Sequence, residues 1–176
     1  MMYRCLIANR GEIAVRIIRA CRELNIETVA IYAKGDENSL HVSLADQAIC
    51  IGEANPLDSY LNIDRIISAA KVTESNVIHP GYGFLSESTN FAKAVEDNHI
   101  HFIGPSKTTM EMMGDKITAR QTVKQAGVPV IPGSNDAVQS VDEIKLLSKE
   151  IGFPVVLKAA SGGGGKGIRI VKEASH

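Results

Sequence analysis

The feature that most constrains this fold is the alternation of short apolar runs with stretches of helical periodicity. After the first run, Ile13, Ile17 and Cys21 recur on one face of a helix predicted over Gly11–Asn25. Strands that alternate with helices in this way favour right-handed βαβ units. The sequence therefore predicts an α/β fold with a mostly parallel, doubly wound sheet. Its five predicted strands are Tyr3–Ala8, Thr28–Tyr32, Ala48–Ile51, Asn76–His79 and His101–Ile103.

Beyond the last of these strands the pattern changes, and turn-forming residues at Pro132–Asp136 mark a boundary. We predict a first domain over residues 1–114, a helical linker over 115–132 and the start of a second domain over 133–176. The second domain begins with a helix, Val141–Ile151. A unit this small buries little apolar surface by itself. We therefore expect a truncated domain, and packing against the first domain is the alternative.

Composition and charge exclude several classes of function. The 44% hydrophobic and 22% charged residues are typical of a globular chain. A net charge of −1 gives no long-range attraction to nucleic acid or to an anionic membrane. No apolar run approaches the roughly 20 residues that span a bilayer, and the first residues lack a signal-peptide core. We interpret Cys5, Cys21 and Cys50, which lie in apolar strings, as reduced core residues of a cytoplasmic protein.

The strongest local signal for chemistry is a glycine run between two predicted strands, Pro154–Ala159 and Ile168–Lys172. The bare loop at Gly162–Gly165 exposes backbone N–H groups to a polyanion, and Lys158 and Lys166 add positive charge. The order of residues differs from a P-loop, and no helix follows. The pattern predicts a loop that binds nucleotide phosphates, and a flexible surface hairpin is the alternative. The histidines and cysteines never fall into ligand spacing, so we assign no zinc site.

Several segments together resemble one enzyme family. The stretch Phe153–Gly167 resembles the phosphate-gripping loop of ATP-grasp enzymes, which include carbamoyl-phosphate synthetases and biotin-dependent carboxylases. Ile7–Ile17 (IANRGEIAVRI) and His79–Glu87 (HPGYGFLSE) are similar to segments of the biotin carboxylases, as are Phe102–Pro105 and Met113–Lys116. The resemblance covers the whole chain but only the N-terminal part of a biotin carboxylase. It implies the Rossmann-like N-terminal domain of that family, followed by the truncated start of an ATP-grasp domain.

The resemblance implies an ATP-dependent ligase that carboxylates biotin held on a carrier protein. In this reaction bicarbonate attacks the γ-phosphate of ATP, and the carboxyphosphate that forms supplies carbon dioxide to the ureido nitrogen of biotin. ATP, Mg²⁺ and carrier-bound biotin are the implied cofactors and substrates. The implied partners are the biotin carboxyl carrier protein, a carboxyltransferase and a second copy of the chain.

The start at Met1 and the segment His41–Asp46 most resemble the biotin carboxylase subunit of bacterial acetyl-CoA carboxylase, which acts in fatty acid synthesis. Pyruvate and propionyl-CoA carboxylases share most of the motifs and are alternatives. Two other classes stay open. One is a non-catalytic dimerisation or binding module, and the other is an ATP-grasp ligase acting on an amino acid or a purine precursor.

The resemblance also assigns roles residue by residue. Lys116 and Lys158 would contact the nucleotide. A lid over its phosphates would consist of Gly163, Gly164, Gly165 and Lys166. The candidates on the side of the biotin substrate are His79, Tyr82, Gly83 and Glu87. The family's general base, bicarbonate-binding arginine and metal ligands match no residue of this chain, so its catalytic residues are unknown and we expect the isolated 176 residues to be inactive.

Simpler structural roles stay open for some of these residues. His79 could be a satisfied core histidine in a rigid turn, and Glu87 could stabilise the N-terminus of a helix over Ser88–Asp97. The arginines near the first helix could be solvated or could pair with neighbouring glutamates. In the family this face contributes to a homodimer, which is the competing role. The residues concerned are Arg10, Arg16, Arg19, Glu12 and Glu23.

Overall fold

The computed structural model describes residues 3–134, 136–159 and 167–174 of the chain. The chain divides into two units, Met1–Glu111 and Met112–His176. The predicted boundary at residue 114 and the predicted linker stay predictions. No helix within the described ranges combines the length and the apolar character that crossing a membrane requires.

The first unit is built on a five-stranded sheet in which every neighbouring pair of strands is parallel. The strands are β1 (Arg4–Ile7), β2 (Glu27–Ala33), β3 (Gln47–Gly52), β4 (Val77–His79) and β5 (His101–Phe102). Their order across the sheet is β3-β2-β1-β4-β5. The helices are α1 (Gly11–Glu23), α2 (Leu40–Leu44), α3 (Ile63–Val72), α4 (Thr89–Asp97) and α5 (Lys107–Gly114), the last running across the division between the units. The predicted α/β class is confirmed.

The central strand β1 supplies core residues to both faces of the sheet. Leu6 belongs to the cluster that includes the buried residues of α3 and α4, whereas Cys5 and Ile7 belong to a second cluster with the apolar face of α1. All three side chains are fully buried. Successive residues of a strand point to opposite faces, so a central strand covered by helices on both sides is apolar at every position. This is the doubly wound arrangement that the sequence predicts.

The sequence pattern missed two short elements and misjudged one cysteine. Helix α2 has only five residues, too few for apolar periodicity to show. A 3₁₀ turn at Pro56–Asp58 is capped by Asn55, whose side chain accepts a hydrogen bond from Leu57 N at 3.2 Å. Cys50, predicted to be a core residue, is exposed. It lies on β3, an edge strand, and only one residue of that strand, Ile51, is buried.

The described part of the second unit contains two helices, besides the end of α5, and an antiparallel pair of strands. The helices are α6 (Lys116–Gln125) and α7 (Val141–Ile151), and the strands are β6 (Val155–Lys158) and β7 (Ile168–Val171). The ladder extends past the strand ends, because Ala159 N donates a hydrogen bond to Gly167 O at 2.9 Å. The predicted order of strand, loop and strand is thus confirmed at its two described ends. The glycine run itself lies outside the described residues.

Candidate functional site

The switch point of the sheet lies between β1 and β4, since the chain builds outward on one side of β1 and then crosses to β4. Ile7 pairs with His79, and Ala8 N donates to His79 O at 2.9 Å, so the loops after these strands start side by side. We call Ala8–Arg10 the β1 loop and Pro80–Phe84 the β4 loop. Open α/β sheets bind ligands at such a point, at the carboxyl ends of the strands.

Asn9 joins the two loops. Its side chain is 4% exposed, and its Nδ2 donates hydrogen bonds of 2.8 Å to both Pro80 O and Tyr82 O. Its Oδ1 accepts a bond of 2.9 Å from Arg10 N. One buried amide therefore links the backbones of both loops.

A small cavity opens where the loops meet. It measures about 270 Å³ and is lined by Asn9, Arg10, Glu12, Ile13, Tyr82, Gly83 and Phe84. Tyr82 is exposed, and its hydroxyl donates to the carboxylate of Glu12 in the first turn of α1. The structure thus brings two sequence-predicted residues, Tyr82 and Gly83, to one cavity beside the start of α1.

Arg10 does not pair with a glutamate of α1, which was one of the interpretations left open. Its guanidinium donates to Asp36 at 2.8 Å and lies 5.6 Å from the ring centre of Tyr60. Tyr60 donates through its hydroxyl to the same carboxylate at 2.7 Å and accepts from Ala33 N at 3.0 Å. Burial and the bond to Asp36 raise the pKa of Tyr60. Tyr60 also stacks on Phe84, with ring centres 5.2 Å apart, and so supports the end of the β4 loop.

His79 is half-buried at the end of β4, and its Nδ1 accepts a hydrogen bond of 3.0 Å from Gly81 N. Burial lowers the pKa of the imidazole, which favours the neutral ring that this acceptor role requires. These contacts favour the rigid-turn interpretation for His79. Glu87 is exposed and lies outside the set of residues that line the cavity. The cap of α4 is Ser88, whose Oγ accepts from Phe91 N at 3.2 Å.

The sequence-predicted nucleotide residues belong to the second unit. Lys116 is the first residue of α6, directly after Asp115, which caps the helix by accepting two bonds of 2.8 Å from Thr118. These bonds lower the pKa of Asp115. Lys158 is the exposed last residue of β6, opposite Ile168. The lid residues Gly163, Gly164, Gly165 and Lys166 lie outside the described residues.

A larger cavity, about 810 Å³, lies along the outer face of α1 beside α2. Arg16, Arg19 and Glu23 line it and are exposed, whereas His41 at its side is buried. Across the described ranges, no ion pair joins either arginine to Glu12 or Glu23. The pairing interpretation is therefore not supported for Arg16 and Arg19.

Comparison with known protein families decides the identity of this fold. A family described as the biotin carboxylase N-terminal domain matches residues 1–110. The chain belongs to the biotin carboxylase family. A second family, described as the ATP-binding domain of the carbamoyl-phosphate synthase L chain, matches residues 115–176. Both matches agree with the resemblance of the sequence motifs to biotin carboxylases and to ATP-grasp enzymes.

Individual relatives match nearly the whole chain. Biotin carboxylase 1 of Bacillus subtilis (strain 168) is 55% identical over 172 residues, which are 98% of this chain and 38% of that protein. The 2-oxoglutarate carboxylase small subunit of Hydrogenobacter thermophilus is 52% identical over 98% of this chain and 36% of its own length. The crystal structure of a Campylobacter jejuni biotin carboxylase in complex with β,γ-ATP has a TM-score of 0.92 at 48% identity, covering 99% of this chain and 39% of that one. This chain thus spans little more than a third of the length of these biotin carboxylases.

Proposed function

We propose that this chain forms the N-terminal part of an enzyme that carboxylates carrier-bound biotin, using ATP and bicarbonate. The observation that carries the proposal is the match to biotin carboxylases at 55% identity over 98% of the chain. The convergence of the β1 and β4 loops at the switch point supports it, because this is where such sheets bind ligands. A structure of the Hydrogenobacter thermophilus biotin carboxylase domain holds MgADP and bicarbonate.

The proposed chemistry proceeds in three steps. A bicarbonate oxygen forms a bond to the γ-phosphorus of ATP as the bond to the ADP oxygen breaks, which gives carboxyphosphate and ADP. Carboxyphosphate then releases carbon dioxide and inorganic phosphate. The ureido nitrogen of biotin loses its proton to a base and bonds to the carbon of carbon dioxide. These reaction steps require that the nucleotide and biotin are held close together and that water is excluded from the site.

The two units of the chain would serve different reagents. In the first unit, Tyr82 and Gly83 of the β4 loop would contact biotin. His79 and Glu87 are the other residues proposed for the side of the biotin substrate. In the second unit, Lys116 and Lys158 neutralise the phosphates of ATP. A lid of Gly163, Gly164, Gly165 and Lys166 closes over them. Lysine is suited to this task because its ammonium group forms charge-assisted hydrogen bonds with phosphate oxygens.

Mg²⁺ would neutralise the triphosphate and align it for attack. Among the described residues, no three His, Cys, Asp or Glu side chains gather in a way that could hold a metal ion. No residue named above is assigned as a Mg²⁺ ligand.

The proposed partners are the biotin carboxyl carrier protein, a carboxyltransferase and a second copy of the chain. The biotin carboxylase domain from Hydrogenobacter thermophilus is a dimer. We propose the α1 face with Arg16, Arg19 and Glu23 for the dimer contact, because these residues are exposed around an open cavity.

The free thiols of Cys5, Cys21 and Cys50 are consistent with the reducing cytoplasm.

The proposed physiological role is the first half-reaction of acetyl-CoA carboxylase in fatty acid synthesis. A second candidate is a carboxylase of a 2-oxo acid, because the 2-oxoglutarate carboxylase small subunit is 52% identical and the biotin carboxylase subunit of a pyruvate carboxylase is 54% identical. Reconstitution with each carboxyltransferase would separate the two roles, since only the matching acceptor turns over.

Bicarbonate-dependent ATP hydrolysis by the full-length protein tests the proposal. We expect ADP release to need bicarbonate and to be stimulated by biotin. We expect no such turnover from the 176 residues alone, because the matched part is only 38% of the length of Biotin carboxylase 1 of Bacillus subtilis. Absence of biotin stimulation in the full-length protein would contradict the proposed function. Clear turnover by the 176 residues would contradict the expectation for the isolated chain.

A further inference from the structure

We infer that Asn9 is a positioning residue, which holds the β4 loop so that Tyr82 and Gly83 meet the biotin substrate. This inference rests on the proposed function, since it concerns the same site. It assigns to a buried amide the task of fixing the shape of the biotin side of the cavity.

The β4 loop makes few hydrogen bonds of its own. Pro80 has no N–H group, and the N–H of Gly81 donates to the side chain of His79. Within the described residues, the first backbone bond inside the segment after β4 runs from Ser86 N to Gly83 O, at 2.9 Å. The loop therefore depends on side chains from outside it for its shape.

The backbone of this loop is also unusually free to change shape. Gly81 has a φ of +65° and Gly83 a φ of +68°, and glycine reaches many other conformations at equal cost. Holding such residues in one conformation costs about 1–2 kcal/mol each in conformational entropy. External hydrogen bonds must offset that cost if the loop is to present one surface to a ligand.

Asn9 is suited to supply these bonds. It uses both N–H groups of its amide, one for each of the carbonyls on either side of Gly81, and its Oδ1 is satisfied by the Arg10 amide. An aspartate would lack the donors, and an alanine would leave both carbonyls unpaired. Gly81 also packs directly on this amide, since a Cβ at position 81 would lie 2.9 Å from Asn9 Nδ2.

The outward side of the loop faces the cavity. Tyr82 is 59% exposed, and its ring is directed by the bond to Glu12. Asn9 thus fixes two backbone carbonyls of the β4 loop, while Tyr82 and Gly83 of the same loop line the cavity. Loss of the amide should displace these two residues and leave the nucleotide residues of the second unit unchanged.

Steady-state kinetics of the Asn9→Ala variant in the full-length protein test this inference. We expect the KM for biotin to rise about 10-fold, because two buried hydrogen bonds are lost. The KM for ATP should change by less than about 2-fold, since uniform damage to the fold would move both constants. Amide hydrogen exchange in residues 81–86 should become faster in the same variant.

Asn98→Ala is the matched control. Asn98 Nδ2 also donates to a backbone carbonyl, Ala94 O at 2.7 Å, but it does so at the C-terminal end of α4. We expect this variant to keep the wild-type KM for biotin. Gly81→Ala is a second probe, because its methyl group presses on the Asn9 amide at a position of positive φ. We expect it to raise the KM for biotin in the same way.

Each outcome is decisive. If the wild-type protein shows no biotin-stimulated ATP turnover, the proposed function fails. If the wild-type protein is active but the KM for biotin is unchanged in both Asn9→Ala and Gly81→Ala, the positioning role is wrong. An equal loss for biotin and ATP, or an equal effect of Asn98→Ala, would assign Asn9 a structural role only and would overturn the inference.

Discussion

Replacing Phe91 with alanine is expected to lower the free energy of unfolding of the first unit by about 3–5 kcal/mol. Phe91 is fully buried on α4, and its ring meets Phe102 of β5 edge to face, with centres 5.9 Å apart at 87°. The variant loses the transfer free energy of the ring and the aromatic pair, and it leaves a cavity that the close-packed layer fills only in part.

Urea unfolding followed by tyrosine fluorescence would measure this effect. All four tyrosines lie before residue 112, so the signal reports the first unit only. Leu24→Ala is a suitable control, because Leu24 is 69% exposed at the end of α1. We expect the control to change the free energy by less than about 0.5 kcal/mol. A loss below about 1 kcal/mol for Phe91→Ala would contradict the packing of α4 against the sheet.

Replacing Lys158 with alanine in the full-length protein is expected to weaken ATP binding by about 10- to 100-fold, the range for a hydrogen bond to a charged group. Lys158 is exposed and is the last residue of β6. The next residue, Ala159, donates its N–H to Gly167 O, so Lys158 borders the glycine run in the sequence. Calorimetric titration with a non-hydrolysable ATP analogue would measure the change.

The matched control for this prediction is Lys149→Ala, which removes an exposed lysine from the last turn of α7. Lys158→Arg should recover part of the affinity, because the positive charge is kept. Unchanged nucleotide affinity in Lys158→Ala, or an equal loss in Lys149→Ala, would show that the lysine has no specific contact with the phosphates.

The layered fold could be predicted from the sequence because its signals are local. Short apolar runs indicated the five strands of the first unit's sheet, and apolar periodicity indicated the long helix α1. The turn residues of the β4 loop also stood out, because a proline and two glycines within four positions demand an unusual backbone. The exposure of Cys50 could not be predicted in this way, because the sequence of a short edge strand resembles that of a central strand.

The contacts that organise the site could not be predicted in the same way. Arg10 pairs with Asp36, 26 positions away, and not with the glutamate that is two residues distant. Tyr60 and Asp36 are held together by strand order, which no short window of sequence contains. The bond from Asn9 to the β4 loop depends on β1 and β4 being neighbours, although more than 70 residues separate them. Such contacts arise from topology, and sequence patterns signal only the residues that make them.

We propose that biotin binds at the β4 loop of the first unit and that the nucleotide binds at the hairpin of the second. Difference hydrogen exchange of the full-length protein, with biotin alone and with an ATP analogue alone, tests it most directly. We predict that biotin slows amide exchange in residues 81–84 and that the ATP analogue slows it in residues 155–172. The proposal would be contradicted if biotin left amide exchange in residues 81–84 unchanged, or if the ATP analogue left amide exchange in the hairpin unchanged.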